Sequence, residues 1–201
     1  MQPFNHKMGH RIRTDAPGLS VDRAFIANVI VAAALAIAAD TDGVLAAVAD
    51  NGAQQVITTG IAHPGYPRNI TATAGGTAGD IKAIQVIVEG TNIAGEPITE
   101  TLPAFTADTA GTVQGNKAFE TITKITIPAH DGPGATTQIG FGEKLAIPYK
   151  LAHNSTLYAC RNNIKEATAP TVTTSAAAIE DNTFDLNSAL NGTQVDLFLI
   201  V

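Results

Sequence analysis

Apolar and polar positions alternate most clearly between Ile84 and Pro128. There the β-branched runs Ile84 to Val88, Ile98 to Leu102 and Thr121 to Ile127 are separated by clusters of Gly, Asn, Asp and Pro. This is the pattern of short antiparallel strands joined by turns. Side chains on a strand have a period of two, so Ile84, Val86 and Val88 share one face while Gln85 and Glu89 take the other. Further strand-like runs lie at Gln54 to Gly60, from Asn69 onward, and at Thr137 to Phe141, Lys144 to Tyr149, Thr156 to Cys160 and Pro170 to Thr174. The run Val195 to Val201 is apolar on both faces except at Asp196, which predicts a central strand or one covered by an arm or another subunit. The spacing predicts a mainly β fold, an antiparallel β-sandwich or barrel with an extended N-terminal arm. Its core is expected to include Ile84, Val86, Val88, Ile125, Ile127, Leu197 and Leu199.

Two stretches depart from the alternation. Residues 1–23 carry Lys7, Arg11, Arg13 and Arg23 among Pro3, Gly9, Pro17 and Gly18, with neither a helical nor a strand period. They read as an extended basic arm ahead of a single β-rich domain over 24–201. Fixing such a segment costs about 1–2 kcal/mol of backbone entropy per residue, and it has no periodic apolar face with which to recover that cost. Contacts with a neighbouring subunit are therefore expected. Arg11, Arg13 and Arg23 are the candidate interface anchors, because guanidinium forks pair with carboxylates, and Phe4 and Phe25 are the candidate apolar plugs. The second stretch, Ala24 to Ala39, has Asn28 as its one polar side chain. It is shorter than the roughly 20 residues of a membrane-spanning helix. Asp15 and Asp22 ahead of it argue against a secretory signal. Val29 to Val31 favour a strand and the Ala-rich part favours a helix, and helix is expected only in short pieces such as part of Ala32 to Ala49.

Composition sharpens the function classes. Hydrophobic residues make up 45% of the 201 but aromatics only 5%, with no Trp, so the apolar mass is Ala, Val and Ile rather than the rings that line ligand pockets. A net charge of −6 disfavours a nucleic-acid groove, which needs clustered Lys and Arg. The single cysteine, Cys160, rules out an internal disulfide framework and reads as a small buried strand residue.

Several local patterns invite chemistry and fall short of it. His6 and His10 have metal-ligand spacing on a helix, but Gly9 intervenes and no third ligand follows. Asp40-Thr-Asp-Gly43 resembles the opening of a calcium loop, yet Val44, Leu45 and Ala46 stand where further oxygen ligands belong, so a turn is expected. The run Gly75 to Gly79 lacks the Lys and Ser or Thr of a phosphate loop. Glu96 and Glu100 read as solvated charges on a strand. His130-Asp131, in a Gly-Pro loop, reads as a loop tip, since triad members come from distant parts of a chain. His63 reads as capping a corner, and Arg68 as a partner in an exposed ion pair worth at most about 1 kcal/mol. No catalytic residue, cofactor site or metal site is expected.

The pieces HPGYPRNITAT, VIVEGTNIAGEPITETLPAF, AGTVQGNKAFETITKITIPAHDG and IGFGEKLAIPYKL occur in this order. That succession resembles a family of tailed-bacteriophage virion structural proteins. The likeness covers Val56 to Leu151 and continues more weakly through SALNGTQVDLFLIV. It implies a virion component and carries no catalytic residue. The expected function is a capsid decoration (cement) protein on the outer head surface, made in the host cytoplasm, with the major capsid protein and copies of itself as partners. Nucleic acid and membrane are not expected partners. A tail-tube or connector subunit, and a carbohydrate- or receptor-binding β-module, are the alternatives.

Overall fold

The computed structural model describes residues 11–13, 20–22 and 25–201. Its strands, in chain order, are β1 (Arg11–Arg13), β2 (Ser20–Asp22), β3 (Ile26–Val31), β4 (Asp40–Ala49), β5 (Gln55–Ile57), β6 (Arg68–Gly76), β7 (Ile87–Thr91) and β8 (Pro97–Thr101). The later ones are β9 (Gly111–Phe119), β10 (Thr121–Ile127), β11 (Ala135–Ala146), β12 (Thr156–Arg161), β13 (Ile164–Lys165), β14 (Thr171–Thr173), β15 (Thr183–Asp185) and β16 (Val195–Ile200). Every pairing among the described strands is antiparallel. The fold is mainly β, as the alternation predicts, and among the described residues helix is limited to single 3-10 turns at Ala78–Asp80 and Ile179–Asp181.

The first core lies between two sheets. One runs β14-β15-β11-β6-β9, with β4 on the same side of β11 as β15, and the other runs β5-β10-β7-β8. The chain passes from one to the other at Glu120, between β9 and β10, so one continuous run of sequence forms a corner of a partly closed barrel. At the opposite side, β8 closes onto β9 through a side chain: the Glu100 carboxylate accepts the Asn116 N–H at 2.7 Å and the Lys117 N–H at 3.3 Å. Ile70, Ala72, Val86, Val88, Phe119, Ile125 and Ile139 fill the interior.

The second core lies under a sheet ordered β13-β12-β16-β3, where Val29, Val31, Leu145, Ile147, Phe184, Leu197 and Leu199 are buried together. Strand β11 serves both cores, Ile139 and Phe141 in the first and Leu145 in the second. The change of partner coincides with a register shift against β6 between Phe141 and Leu145. Asn69 fills that bulge: its Oδ1 accepts the Lys144 N–H at 3.0 Å and its Nδ2 donates to the Gly115 carbonyl at 3.1 Å. Two close approaches require glycine. A Cβ at Gly140 would collide with the Asp40 carbonyl, and one at Gly90 with the Thr121 carbonyl.

All seven expected core residues are buried. Strand β16 is central, as its two apolar faces predict. Other expectations are corrected. Ala32 to Ala49 contains no helix: a turn follows β3 and then β4 runs from Asp40. Asp40 to Gly43 opens β4 rather than forming a free turn. Thr137 to Phe141 and Lys144 to Tyr149 are not two strands, because β11 runs unbroken from Ala135 to Ala146. In the arm, expected to lack strand structure, Arg11–Arg13 and Ser20–Asp22 pair as a short hairpin. The β12–β13 hairpin turns on Asn162 and Asn163 with φ of 51° and 62°, a conformation Asn tolerates well and that a tight type I′ turn demands.

Candidate functional site

The polar residues that attracted attention in the sequence are built into the framework. His130 is buried instead of standing at a loop tip. Its Nδ1 accepts the Lys82 N–H at 3.1 Å, its Nε2 pairs with Thr137 Oγ1 at 2.9 Å, and its backbone N–H donates to Asp50. Burial pushes its pKa below the ordinary imidazole value, with Asp50 and Asp131 opposing. Asp131 points elsewhere, to an exposed ion pair with Lys82 at 3.1 Å. His63 Nδ1 accepts the Ile122 N–H at 3.1 Å and so caps the start of β10.

Glu100 departs from the expected solvated charge. Desolvation raises its pKa, while the Asn116 and Lys117 N–H groups and the Lys117 charge pull it back. Glu96 accepts from Asn92 Nδ2 at 3.2 Å.

Arg68 departs most. Expected in an exposed ion pair, it is 1% exposed, and its guanidinium donates to the carbonyls of Leu35 (2.7 Å), Ile37 (3.0 Å) and Gly142 (3.4 Å). The Phe141 ring lies 4.9 Å beneath it. Burial lowers its pKa to about 10, with Glu143 acting in the other direction. Arg68 thus fastens the segment between β3 and β4 to the middle of β11. Asn182, which nothing in the sequence singled out, does similar work: its Oδ1 accepts from Leu151 N and Ser175 N, and its Nδ2 donates to the Ser175 and Ala178 carbonyls.

What remains uncommitted is a surface. The outer face of the β13-β12-β16-β3 sheet carries three cross-strand rows fixed by the register. The first is Ile30, Asp196, Cys160 and Lys165, the second Asn28, Phe198 and Tyr158, and the third Ile26 and Ile200. Ile26 is 69% exposed and Ile30 56%, unusually high for isoleucines on a regular strand. The Tyr158 and Phe198 rings stack at 4.6 Å, and Lys165 Nζ sits 5.5 Å from the Tyr158 ring. Asp196, the one acid in the strand, is covered by Gln194 Nε2 at 3.0 Å and Asn28 Nδ2 at 3.4 Å. Cys160 lies half-buried on this face rather than in the core.

Among the sequence-predicted interface residues, Phe25 alone has a described side chain. Phe25 is 40% exposed at the lower end of β3, where its backbone pairs with Val201. Arg11 and Arg13 lie on β1, whose backbone alone is described. Phe4, Arg23 and the His6/His10 pair lie outside the described residues. Among the described residues no cluster of three His, Cys, Asp or Glu side chains is placed to hold a metal ion. None of their helices is long and apolar enough to cross a membrane. No family model, no curated protein and no solved structure matches the chain.

Proposed function

We propose that the protein is a structural subunit of a tailed-bacteriophage virion, in the role of a capsid decoration protein bound to the outer head surface and to its own copies. The observation that carries this reading is the division of labour among its side chains. Buried polar groups such as Arg68, Asn69, His130 and Asn182 are spent on backbone hydrogen bonds, whereas Ile26, Ile30 and Ile200 on one sheet face are left to solvent. Such a molecule offers surfaces for assembly rather than a pocket for a substrate. The ordered succession of motifs from Val56 to Leu151 supplies the virion context, and the basic segment 1–23 supplies a complement to acidic neighbours.

A tail-tube or connector subunit is the second reading, favoured by the sheet edge at β3, since rings of such subunits are closed by sheet-to-sheet pairing. The deciding experiment separates DNA-filled heads from tails after particle disruption and counts copies of the chain in each. Copy number tied to the head lattice supports decoration, and copy number tied to tail length supports the tube. A chain found in neither fraction defeats both. A companion measurement uses a chain lacking residues 1–20. Both cores lie within 25–201, so it should fold, and it should lose binding to heads. Unchanged occupancy would remove the arm from the attachment.

A further inference from the structure

Strand β3 is the edge of its sheet, and among the described residues no strand pairs with its outer side. Phe25 and Val201 exchange both backbone hydrogen bonds, at 3.0 and 2.9 Å. In an antiparallel ladder such doubly bonded positions recur at every second residue. Ala27, Val29 and Val31 therefore turn their N–H and C=O groups toward β16, while Ile26, Asn28 and Ile30 turn theirs to the open edge. The same three residues carry the exposed side chains of the strand.

Edge strands are ordinarily protected against unwanted pairing by a charge, a proline or a bulge. Strand β3, IANVIV, has none of these, and its register with β16 is unbroken from Ile26 to Val31. We infer that this edge pairs with β3 of a second copy, antiparallel across a two-fold axis that passes through Asn28.

The side-chain order identifies the occupant. An isologous contact needs a surface complementary to itself, and the outward positions of β3 read Ile, Asn, Ile from either end. In the register that lets the open N–H and C=O groups bond, Ile26 lies opposite Ile30 of the partner subunit and Asn28 lies opposite Asn28 of the partner subunit. About six backbone hydrogen bonds then close. An Ile–Ile pair flanks the axis on each side, and the two Asn28 amides, each both donor and acceptor, face one another. A slip of one residue would turn the apolar outer set against the inner one, and a slip of two would set Asn against Ile. Four strands from each copy form one continuous sheet with a shared outer face.

A single strand pair buries less than the roughly 1,000 Å² a stable interface needs. The contact is accordingly a weak and reversible one. Such pairing is independent of any particle the dimer joins.

The test uses the full chain. Sedimentation equilibrium over a concentration series should show reversible dimers, and Asn28→Lys, which sets two like charges across the axis, should weaken them at least about tenfold. Asn28 is exposed, so the variant's far-UV spectrum should match that of the parent, as should its urea midpoint at concentrations where both are monomeric. In a Cys160→Ser background, Asn28→Cys places two thiols at a Cα separation of about 5.5 Å, inside the disulfide range. Diamide, which takes up the two electrons and two protons, should link that variant into covalent dimers. Ile26→Cys and Ile30→Cys should not link alone but should link when mixed. A monomer at every concentration would overturn the inference, and is the outcome if the edge is covered by the chain's own N-terminal segment or by a different protein. Dimers unaffected by Asn28→Lys, or equal cross-linking at all three positions, would overturn it as well.

Discussion

Removing the Arg68 guanidinium should loosen the junction between the two cores. Two of its three hydrogen bonds are short, to the carbonyls of Leu35 (2.7 Å) and Ile37 (3.0 Å), and the third, to Gly142, is long at 3.4 Å. Hydrogen bonds from a charged donor contribute about 1.5–3 kcal/mol each. The two short ones therefore amount to roughly 3–6 kcal/mol, and the cation–π contact with Phe141 adds about 1 kcal/mol. Against this stands the cost of desolvating the guanidinium, whose pKa is held down to about 10, and Nε has no hydrogen-bond partner. A net loss of about 2–4 kcal/mol is expected for Arg68→Met, which keeps most of the volume but leaves the carbonyls without donors. Arg68→Lys should recover less than half of it, since one ammonium cannot reach both carbonyls and lie flat on the ring. Urea unfolding followed by circular dichroism gives the magnitude. Hydrogen exchange gives the location, with protection lost first at Leu35 and Ala36, whose N–H groups bond to Ala32 in the clamped turn. A loss under about 1 kcal/mol for Arg68→Met, or full rescue by Lys, would refute the clamp.

Other expectations can be checked on the same protein. Glu100→Ala leaves the Asn116 and Lys117 N–H groups without their acceptor and should cost about 1–3 kcal/mol in urea titration, with amide exchange rising along β9. His130 has a depressed pKa in the folded chain, so below pH 6.5 the unfolded chain binds the proton first and stability falls as pH drops. His130→Gln should flatten that part of the stability–pH curve while leaving the region above neutrality parallel to the parent's. Leu197→Ala should cost about 2–5 kcal/mol through the cavity it leaves in the second core, and an unchanged urea midpoint would mean that the inward face of β16 had been misassigned.

The strands Thr121–Ile127 and Val195–Ile200 and all seven core positions were legible in the sequence because a strand's period of two is local. A β-branched residue every second position is a pattern within one segment, and turn residues bound it wherever it lies in space. The same locality explains the failure at Ala32 to Ala49. Its Ala-rich composition favours helix in isolation, whereas pairing with β11 draws Asp40 to Ala49 into a strand. Tertiary structure alone decided the roles of Arg68, Glu100, His130 and Asn182. Their partners include Leu35, Asn116, Lys82 and Leu151, residues separated from them along the chain by 33, 16, 48 and 31 positions. A hydrogen bond needs two groups within about 3 Å, and no one-dimensional pattern records which distant carbonyl will come that near. The open edge of β3 has the same origin. Its apolar run was evident, but the direction in which Ile26, Asn28 and Ile30 turn their backbone groups follows only from pairing with β16, 166 to 174 residues further along at Asp196 to Ile200.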